Sequence, residues 1–238
     1  MAIPVVLIPG LVCDQAVWEH QAKALGERTS VSIANHQELD SLPAMATKVL
    51  REAPPKFAVA GHSMGGRVAM EVFRQAPERV AGMALMDTAS HPLPPGEAGE
   101  KEKAGRFRLL EIARRDGMRS MSVDWVQGMV YPARLTDAAL IESIVAMQAR
   151  HSADIFAAQI RALIARPDAG ELLNGIRVPT LVLTGQQDSW SPPQRHRDMA
   201  AAIPGSELVL VDECGHMSSM EQPAAVTNAL LSWLARIG

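Results

Sequence analysis

Between Phe57 and Gly66 the chain reads Phe57-Ala58-Val59-Ala60-Gly61-His62-Ser63-Met64-Gly65-Gly66. An apolar run typical of a buried strand leads into a Gly-x-Ser-x-Gly turn, and an amphipathic stretch typical of a helix follows. In so tight a turn, side chains two residues before and two residues after the serine would collide, so both positions require glycine. The pattern therefore predicts a strand–turn–helix unit that lifts the Ser63 hydroxyl above the sheet edge, at a helix N-terminus.

Short apolar runs recur on both sides of this unit, at residues 5–8, 31–34, 80–86, 179–185 and 207–211. Helical stretches separate most of them, and the one over residues 42–53 is stopped by Pro54-Pro55. Strands that alternate with helices predict an α/β fold: a doubly wound, mostly parallel sheet with helices on both faces. Active sites in such sheets lie at the carboxyl ends of the strands, where Pro9-Gly10-Leu11, Ser63 and Asp87 are found.

The pattern changes at residue 91, where prolines at positions 92, 94 and 95 and a glycine at 96 interrupt it. From there to residue 176 only helical stretches follow, in a block far longer than the dozen or so residues that one crossover requires. We therefore predict a core of residues 1–90 and 177–238, with residues 91–176 inserted as a helical lid. The alternative is a series of ordinary crossover helices.

Composition narrows the classes of function. The 238 residues are 47% hydrophobic and 21% charged with a net charge of -3, which is ordinary for a globular protein and favours neither a nucleic-acid nor a membrane partner. Because the N-terminus lacks a basic segment and a signal-cleavage pattern, we expect a cytoplasmic protein. The two cysteines, Cys13 and Cys214, are expected to be free thiols, and we predict neither a metal site nor a cofactor.

Nucleophilic catalysis by a serine requires a base and a group that orients the base. His216 follows the last predicted strand, and Asp188 follows the strand before it. The order Ser63, Asp188, His216 is the nucleophile–acid–base order of one particular fold. Asp87, which ends an earlier strand, is an alternative acid, with turn capping as its structural role.

With these residues the chain resembles the α/β-hydrolase superfamily over nearly its whole length. The matching pieces are the turn at Ser63, the strand and loop at 179–193, and Gly215-His216-Met217 followed by Glu221, which we expect to cap or support the terminal helix. Within the superfamily it is most similar to small lidded bacterial esterases, enol-lactonases and carbon–carbon bond hydrolases. One departure is Pro9-Gly10, where the superfamily usually has His-Gly.

The resemblance implies a role for each site residue. Ser63 would be the nucleophile, His216 the general base and then acid, and Asp188 the carboxylate that orients the imidazole. The backbone N–H groups of Leu11 and Met64 would form the oxyanion hole, which does not depend on the missing histidine.

The substrate pocket is expected to be apolar, with Trp125, Met129, Trp190 and Met217 as candidate lining residues. Lid core is the alternative role for the aromatic residues of the insertion, Tyr131 included. Several arginines make the first inserted helices basic. They would form a solvated face, or one of them would meet a substrate carboxylate.

These observations predict a serine hydrolase that cleaves a carboxylic ester or lactone of a small, mainly apolar molecule. Two other reactions suit the same three residues: hydrolysis of a carbon–carbon bond in a β-ketone-type substrate, and cofactor-free perhydrolysis. A non-catalytic small-ligand receptor on the same fold is the alternative from another class. The sequence leaves the oligomeric state open.

Overall fold

A six-stranded parallel sheet forms the centre of the protein, seen in a computed structural model that describes residues 2–237. Its strands are β1 (Val5–Ile8), β2 (Val31–Ile33), β3 (Phe57–His62), β4 (Val80–Met86), β5 (Thr180–Gly185) and β6 (Glu207–Val211). They lie in the order β2-β1-β3-β4-β5-β6, and every neighbouring pair is parallel. The predicted doubly wound α/β fold is confirmed.

Helices cover both faces of this sheet because the strands bury both faces. One face carries α2 (Leu42–Glu52), α3 (Met64–Gln75) and α9 (Pro193–Ala202), and the other carries α1 (Glu19–Gly26) and α11 (Pro223–Ala235). The alternation of side chains along β1 shows the division: Val6 and Ile8 belong to the first core, and Val5 and Leu7 to the second.

Between β4 and β5 the chain forms helices only. They are α4 (Glu97–Asp116), α5 (Met118–Val126), α6 (Ala138–Ala149), α7 (Ala153–Ile164) and α8 (Gly170–Leu173). A last short helix, α10 (Ser218–Glu221), precedes α11. The insertion is as helical as the sequence indicated, while its action as a lid stays a prediction. None of the helices within residues 2–237 is both long and apolar enough to cross a bilayer.

The turn between β3 and α3 leaves no room for side chains at its two glycines. Ser63 adopts φ 56 and ψ -116, a left-handed backbone that only a rigid surrounding maintains for a residue other than glycine. A Cβ on Gly61 would collide with the carbonyl of Gly65, and a Cβ on Gly65 would collide with the carbonyl of Ile8 in β1. The two glycines therefore allow α3 to begin directly against the strands, as the motif required.

Replacement of Gly65 by alanine should destabilise the protein by about 3 kcal/mol or more, because the new methyl group meets backbone atoms that cannot move aside. Gly26→Ala is the matched control: nothing lies within 4 Å of its added Cβ, so stability should change little. Urea denaturation of both variants measures the difference. Equal stability of the two variants would contradict the close contact at Gly65.

Candidate active site

The backbone of Ser63 is held from both sides. Its N–H donates to the carbonyl of Met86 in β4 (2.8 Å). Its own carbonyl accepts from the N–H of Gly66 (3.0 Å) and from the hydroxyl of Thr88 (2.8 Å). These bonds balance the strain of the left-handed conformation and fix where the side chain of Ser63 begins.

The three polar side chains that the sequence singled out form one hydrogen-bonded chain. Ser63 Oγ lies 2.8 Å from His216 Nε2, and His216 Nδ1 lies 2.8 Å from Asp188 Oδ2. The other carboxylate oxygen, Asp188 Oδ1, accepts from the N–H groups of Trp190 and Ser191, both at 2.9 Å. Because the carboxylate can only accept, Nδ1 carries a proton and Nε2 is left to accept the proton of the serine.

The charges of His216 and Asp188 stabilise each other. Burial alone would lower the pKa of His216, but the charge and hydrogen bond of Asp188 outweigh it and hold that pKa above its ordinary value. Burial would in turn raise the pKa of Asp188, yet His216 and the two N–H donors hold it below its usual range. Asp188 is therefore ionised at neutral pH, beside an imidazole that readily takes up a proton.

Asp87, the alternative acid, is hydrogen-bonded to groups other than the ring of His216. It is fully buried and accepts hydrogen bonds from the hydroxyl of Ser218 and the N–H of Gly185. His62 Nε2 lies 3.6 Å from it. Burial, followed by the nearby charge of Asp188, raises the pKa of Asp87 well above its ordinary value. Among the described residues, Asp188 is the carboxylate that holds the ring of His216.

Leu11 and Met64, whose N–H groups are the predicted oxyanion hole, line the same cavity as Ser63. Met64 is the first residue of α3, so its N–H has no partner inside the helix, and Leu11 lies in the loop after β1. The next residue, Val12, has φ 46, and its N–H donates to the side chain of Gln159 in α7 (2.8 Å). The inserted helices therefore support this loop. In the superfamily, a histidine usually supports it.

The carboxylate of Glu221 binds different groups from those expected. It does not cap the terminal helix: its buried carboxylate accepts three backbone N–H bonds, from Tyr131 (2.8 Å), Gly215 (2.9 Å) and Met217 (3.0 Å). Two of these donors flank His216. Glu221 thus fixes the loop that carries His216 and ties it to the insertion.

A cavity of about 470 Å³ opens beside Ser63. Trp125, Met129, Trp190 and Met217 line it, as does His216, and the rings of Trp125 and Trp190 stack at 5.3 Å between centroids. Tyr131 is not part of the lining within residues 2–237.

The expectation of an apolar cavity is wrong in part. Six cationic side chains also line the cavity: Arg67, Lys101, Arg106, Arg108, Arg166 and Arg195. Two of these six belong to the basic residues noted in the first inserted helices, Arg106 and Arg108. The pocket therefore suits a molecule with both apolar and anionic parts.

Several supporting residues escaped sequence reasoning. His196 is buried and accepts the N–H of Thr88 (3.0 Å), the residue whose hydroxyl binds the Ser63 carbonyl. Burial lowers the pKa of His196 to about 4, so it is neutral. Like the bond from Val12 to Gln159, the contact of His196 with Thr88 joins segments far apart in the sequence, for which no local spacing gives a signal.

The part of the chain that the structure describes contains no cluster of three or more His, Cys, Asp or Glu side chains suited to a metal ion. Cys13 and Cys214 are free thiols. Burial raises the pKa of Cys13 to about 12, so the thiol beside the Leu11 loop stays protonated and unreactive at neutral pH.

Comparison with known proteins gives a family and named relatives. The sequence profile of the alpha/beta hydrolase family matches residues 5–229. A 2-succinyl-6-hydroxy-2,4-cyclohexadiene-1-carboxylate synthase of Klebsiella pneumoniae is 32% identical over 184 residues, which are 76% of this chain and 69% of the relative.

Solved structures with the same fold include two named enzymes. A malate-bound thermophilic esterase of Thermogutta terrifontis superposes with a TM-score of 0.87 at 30% identity, covering 100% of this chain and 91% of the other. An enol-lactonase of Burkholderia xenovorans superposes with a TM-score of 0.83 at 22% identity, covering 99% and 92%. The second likeness, at that identity, shows the fold alone.

Glu221→Gln should lower the free energy of unfolding by about 1–3 kcal/mol, because the amide NH₂ would face a backbone N–H in place of an acceptor. Glu213→Gln, an exposed change in the same loop, is the matched control and should have little effect. Thermal and urea denaturation measure both. If the Glu221 variant is as stable as the control, the carboxylate does not hold the His216 loop.

Proposed function

Because this chain belongs to the alpha/beta hydrolase family, we propose that it is a serine hydrolase that cleaves a carboxylic ester or lactone through an acyl-enzyme on Ser63. The observation that carries the proposal is the hydrogen-bonded chain Ser63–His216–Asp188, which ends at a cavity large enough for a small substrate. Similarity to an esterase of 30% identity supports the same reaction class.

In the first half of the reaction, Ser63 Oγ attacks the carbonyl carbon while His216 Nε2 takes the hydroxyl proton. Asp188 stabilises the imidazolium that forms and keeps its ring in place. Negative charge develops on the carbonyl oxygen, and the N–H groups of Leu11 and Met64 would bind it. Two such donors contribute several kcal/mol to transition-state stabilisation, aided by the N-terminus of α3. The bond from the carbonyl carbon to the alkoxide then breaks, His216 gives its proton to the leaving oxygen, and the acyl group remains on Ser63.

In the second half, His216 takes a proton from a water molecule, whose oxygen attacks the acyl carbon. The C–O bond to Ser63 breaks, the serine regains its proton, and the acid product leaves. For a lactone, the leaving alkoxide stays part of the same product molecule.

A second candidate is the reaction named for the Klebsiella relative, formation of a succinyl-substituted cyclohexadiene carboxylate. Two observations favour it: the similarity extends over 76% of this chain, and the product named carries carboxylate groups, which the arginine-lined wall suits. Turnover of simple esters separates the two candidates.

Hydrolysis of 4-nitrophenyl esters from acetate to dodecanoate tests the first proposal. Rates should peak at a chain length that fits the 470 Å³ cavity, and Ser63→Ala should lower kcat by about 10³-fold or more. Ser120→Ala, an exposed serine outside the cavity, is the control. Absence of turnover by folded wild type would overturn the ester reaction and leave a lactone substrate, the synthase reaction or a receptor.

The pH dependence follows from the raised pKa of His216. Neutral imidazole is the base, so kcat/KM should fall as pH drops through that pKa, with a midpoint above the ordinary value of 6.5. Asp188→Asn removes the charge that raises the pKa, so the midpoint should move down and the rate should fall by about 10³-fold or more. A midpoint unaffected by this substitution would contradict the assignment of Asp188.

A further inference from the structure

His62, the residue directly before Ser63, is hydrogen-bonded to the loop that carries His216. It is the last residue of β3 and is fully buried. Its ring nitrogen Nε2 lies 2.8 Å from the backbone carbonyl oxygen of His216. A carbonyl oxygen only accepts, so Nε2 carries a hydrogen and donates it. The Gly-x-Ser-x-Gly motif leaves this position open, so the turn itself does not require the donor.

The bond from His62 joins the same two segments that the bond from Ser63 joins. Ser63 Oγ lies 2.8 Å from His216 Nε2, and Ser63 follows His62 directly in the chain. Residues 62 and 63 therefore hold His216 at two points, one on its backbone and one on its ring. The two bonds together fix the imidazole relative to the serine hydroxyl.

Other restraints on the backbone of this loop come from more distant parts of the fold. The N–H of His216 donates to the carbonyl of Met129 (2.8 Å), and Glu221 binds the N–H groups on either side of His216. These bonds tie the loop to the insertion and to α10. The bond from His62 ties the backbone of His216 to β3, the strand that leads to the nucleophile.

The Nδ1 side of the His62 ring contacts the loop after β1. A Cβ on Gly10 would lie 2.9 Å from His62 Nδ1, which leaves no space between the ring and this loop. Trp18 packs edge-on against the ring, at 6.4 Å between centroids. The ring of His62 therefore lies between the loop that contains Leu11 and the loop that contains His216.

The ring of His62 is uncharged at neutral pH. Burial, followed by the charge of His216, lowers the pKa of His62 to about 4. Asp87 Oδ2 lies 3.6 Å from Nε2, too far for a hydrogen bond. The rings of His62 and His216 are 5.5 Å apart between centroids. A cationic donor at this distance would oppose the imidazolium that forms on His216, whereas a neutral N–H does not.

We propose that His62 is a positioning residue for the base: its bond to the carbonyl of His216 holds the imidazole within proton-transfer distance of Ser63. The inference rests on the proposed hydrolase function. Proton transfer requires Oγ and Nε2 to stay at hydrogen-bond distance, and a displacement of about 1 Å costs on the order of 10²-fold in rate. His62 acts through His216 and exchanges no proton itself.

Two replacements of similar volume separate hydrogen-bond donation from packing. The NH₂ group of glutamine is as many bonds from the backbone as Nε2 of histidine, so His62→Gln keeps a neutral donor and His62→Leu removes it. His62→Leu should lower kcat/KM for 4-nitrophenyl butyrate by about 10²-fold. His62→Gln should restore most of this loss. If the ring only fills space, the two variants will have equal activity, and the proposal is wrong.

Covalent labelling separates a misplaced base from damaged protein. A fluorophosphonate bonds through phosphorus to Ser63 Oγ and releases fluoride, while His216 takes the hydroxyl proton. His62→Leu should reach the same final stoichiometry as wild type, but about 10²-fold more slowly. Incomplete labelling at the wild-type rate would mean structural damage and would contradict the proposal.

His36→Leu is the matched control for labelling and turnover. His36 is also a buried histidine, it lies outside the cavity lining, and its ring nitrogens have no hydrogen-bond partner in the part of the chain described. The same exchange at this position should leave the labelling rate and kcat/KM close to those of wild type.

A double-mutant cycle with His216→Ala tests whether His62 acts through the imidazole. Without the ring there is no base to position, so adding His62→Leu should change the residual activity less than about threefold. A further loss as large as the one in the wild-type background would show that His62 acts by another route.

Magnetic resonance of the histidine rings keeps the inference separate from the hydrolase proposal. The proton on His216 Nδ1, bound to Asp188, should give a resolved signal in wild type, in His62→Gln and in His36→Leu, and should shift or broaden in His62→Leu. If this pattern is seen while no ester is hydrolysed and no label binds, the hydrolase proposal fails and the positioning role stands. If esters are hydrolysed but the signal is the same in all variants, the positioning role is wrong and the hydrolase stands.

Discussion

The left-handed backbone of Ser63 is the constraint on which the rest of the site depends. With φ at 56, the chain reverses between β3 and α3 in so few atoms that Gly61 meets Gly65 and Gly65 meets the end of β1. The first turn of α3 therefore starts beside the loop that follows β1. The left-handed conformation of Ser63 therefore brings three features together at one edge of the sheet. They are the serine hydroxyl, the N–H groups at the start of α3 and the loop after β1.

Around the single imidazole of His216 stand three buried carboxyl groups with different partners. Asp188 faces the ring and is kept ionised by it, and Asp87 faces a serine hydroxyl and carries a raised pKa. Glu221 collects backbone N–H groups of the His216 loop. A buried charge needs a compensating partner, so the partner of each carboxyl group determines what that group contributes. Asp188 orients the ring of His216, Asp87 packs as a neutral group, and Glu221 supports the loop.

The inserted helices contribute more than a cover. Gln159 of α7 binds the loop after β1, and the carbonyl of Met129 accepts the N–H of His216 (2.8 Å). The insertion also supplies Trp125 and Arg166 to the lining of the cavity. The insertion therefore contacts both loops of the site as well as the cavity.

Sequence alone was sufficient for the α/β fold and for selecting Ser63, Asp188 and His216, because strand periodicity, a glycine-bounded turn and chain order are local or ordered features. Only the tertiary structure decided what surrounds them: the role of Glu221, the loop contact of Gln159, and the cationic wall where an apolar pocket was expected. Arg67, Arg106 and Arg166 come from three separate segments of the chain. Helix packing and the bonds of Glu102 to Arg106 and Arg166 bring them together, and no spacing along the sequence predicts this.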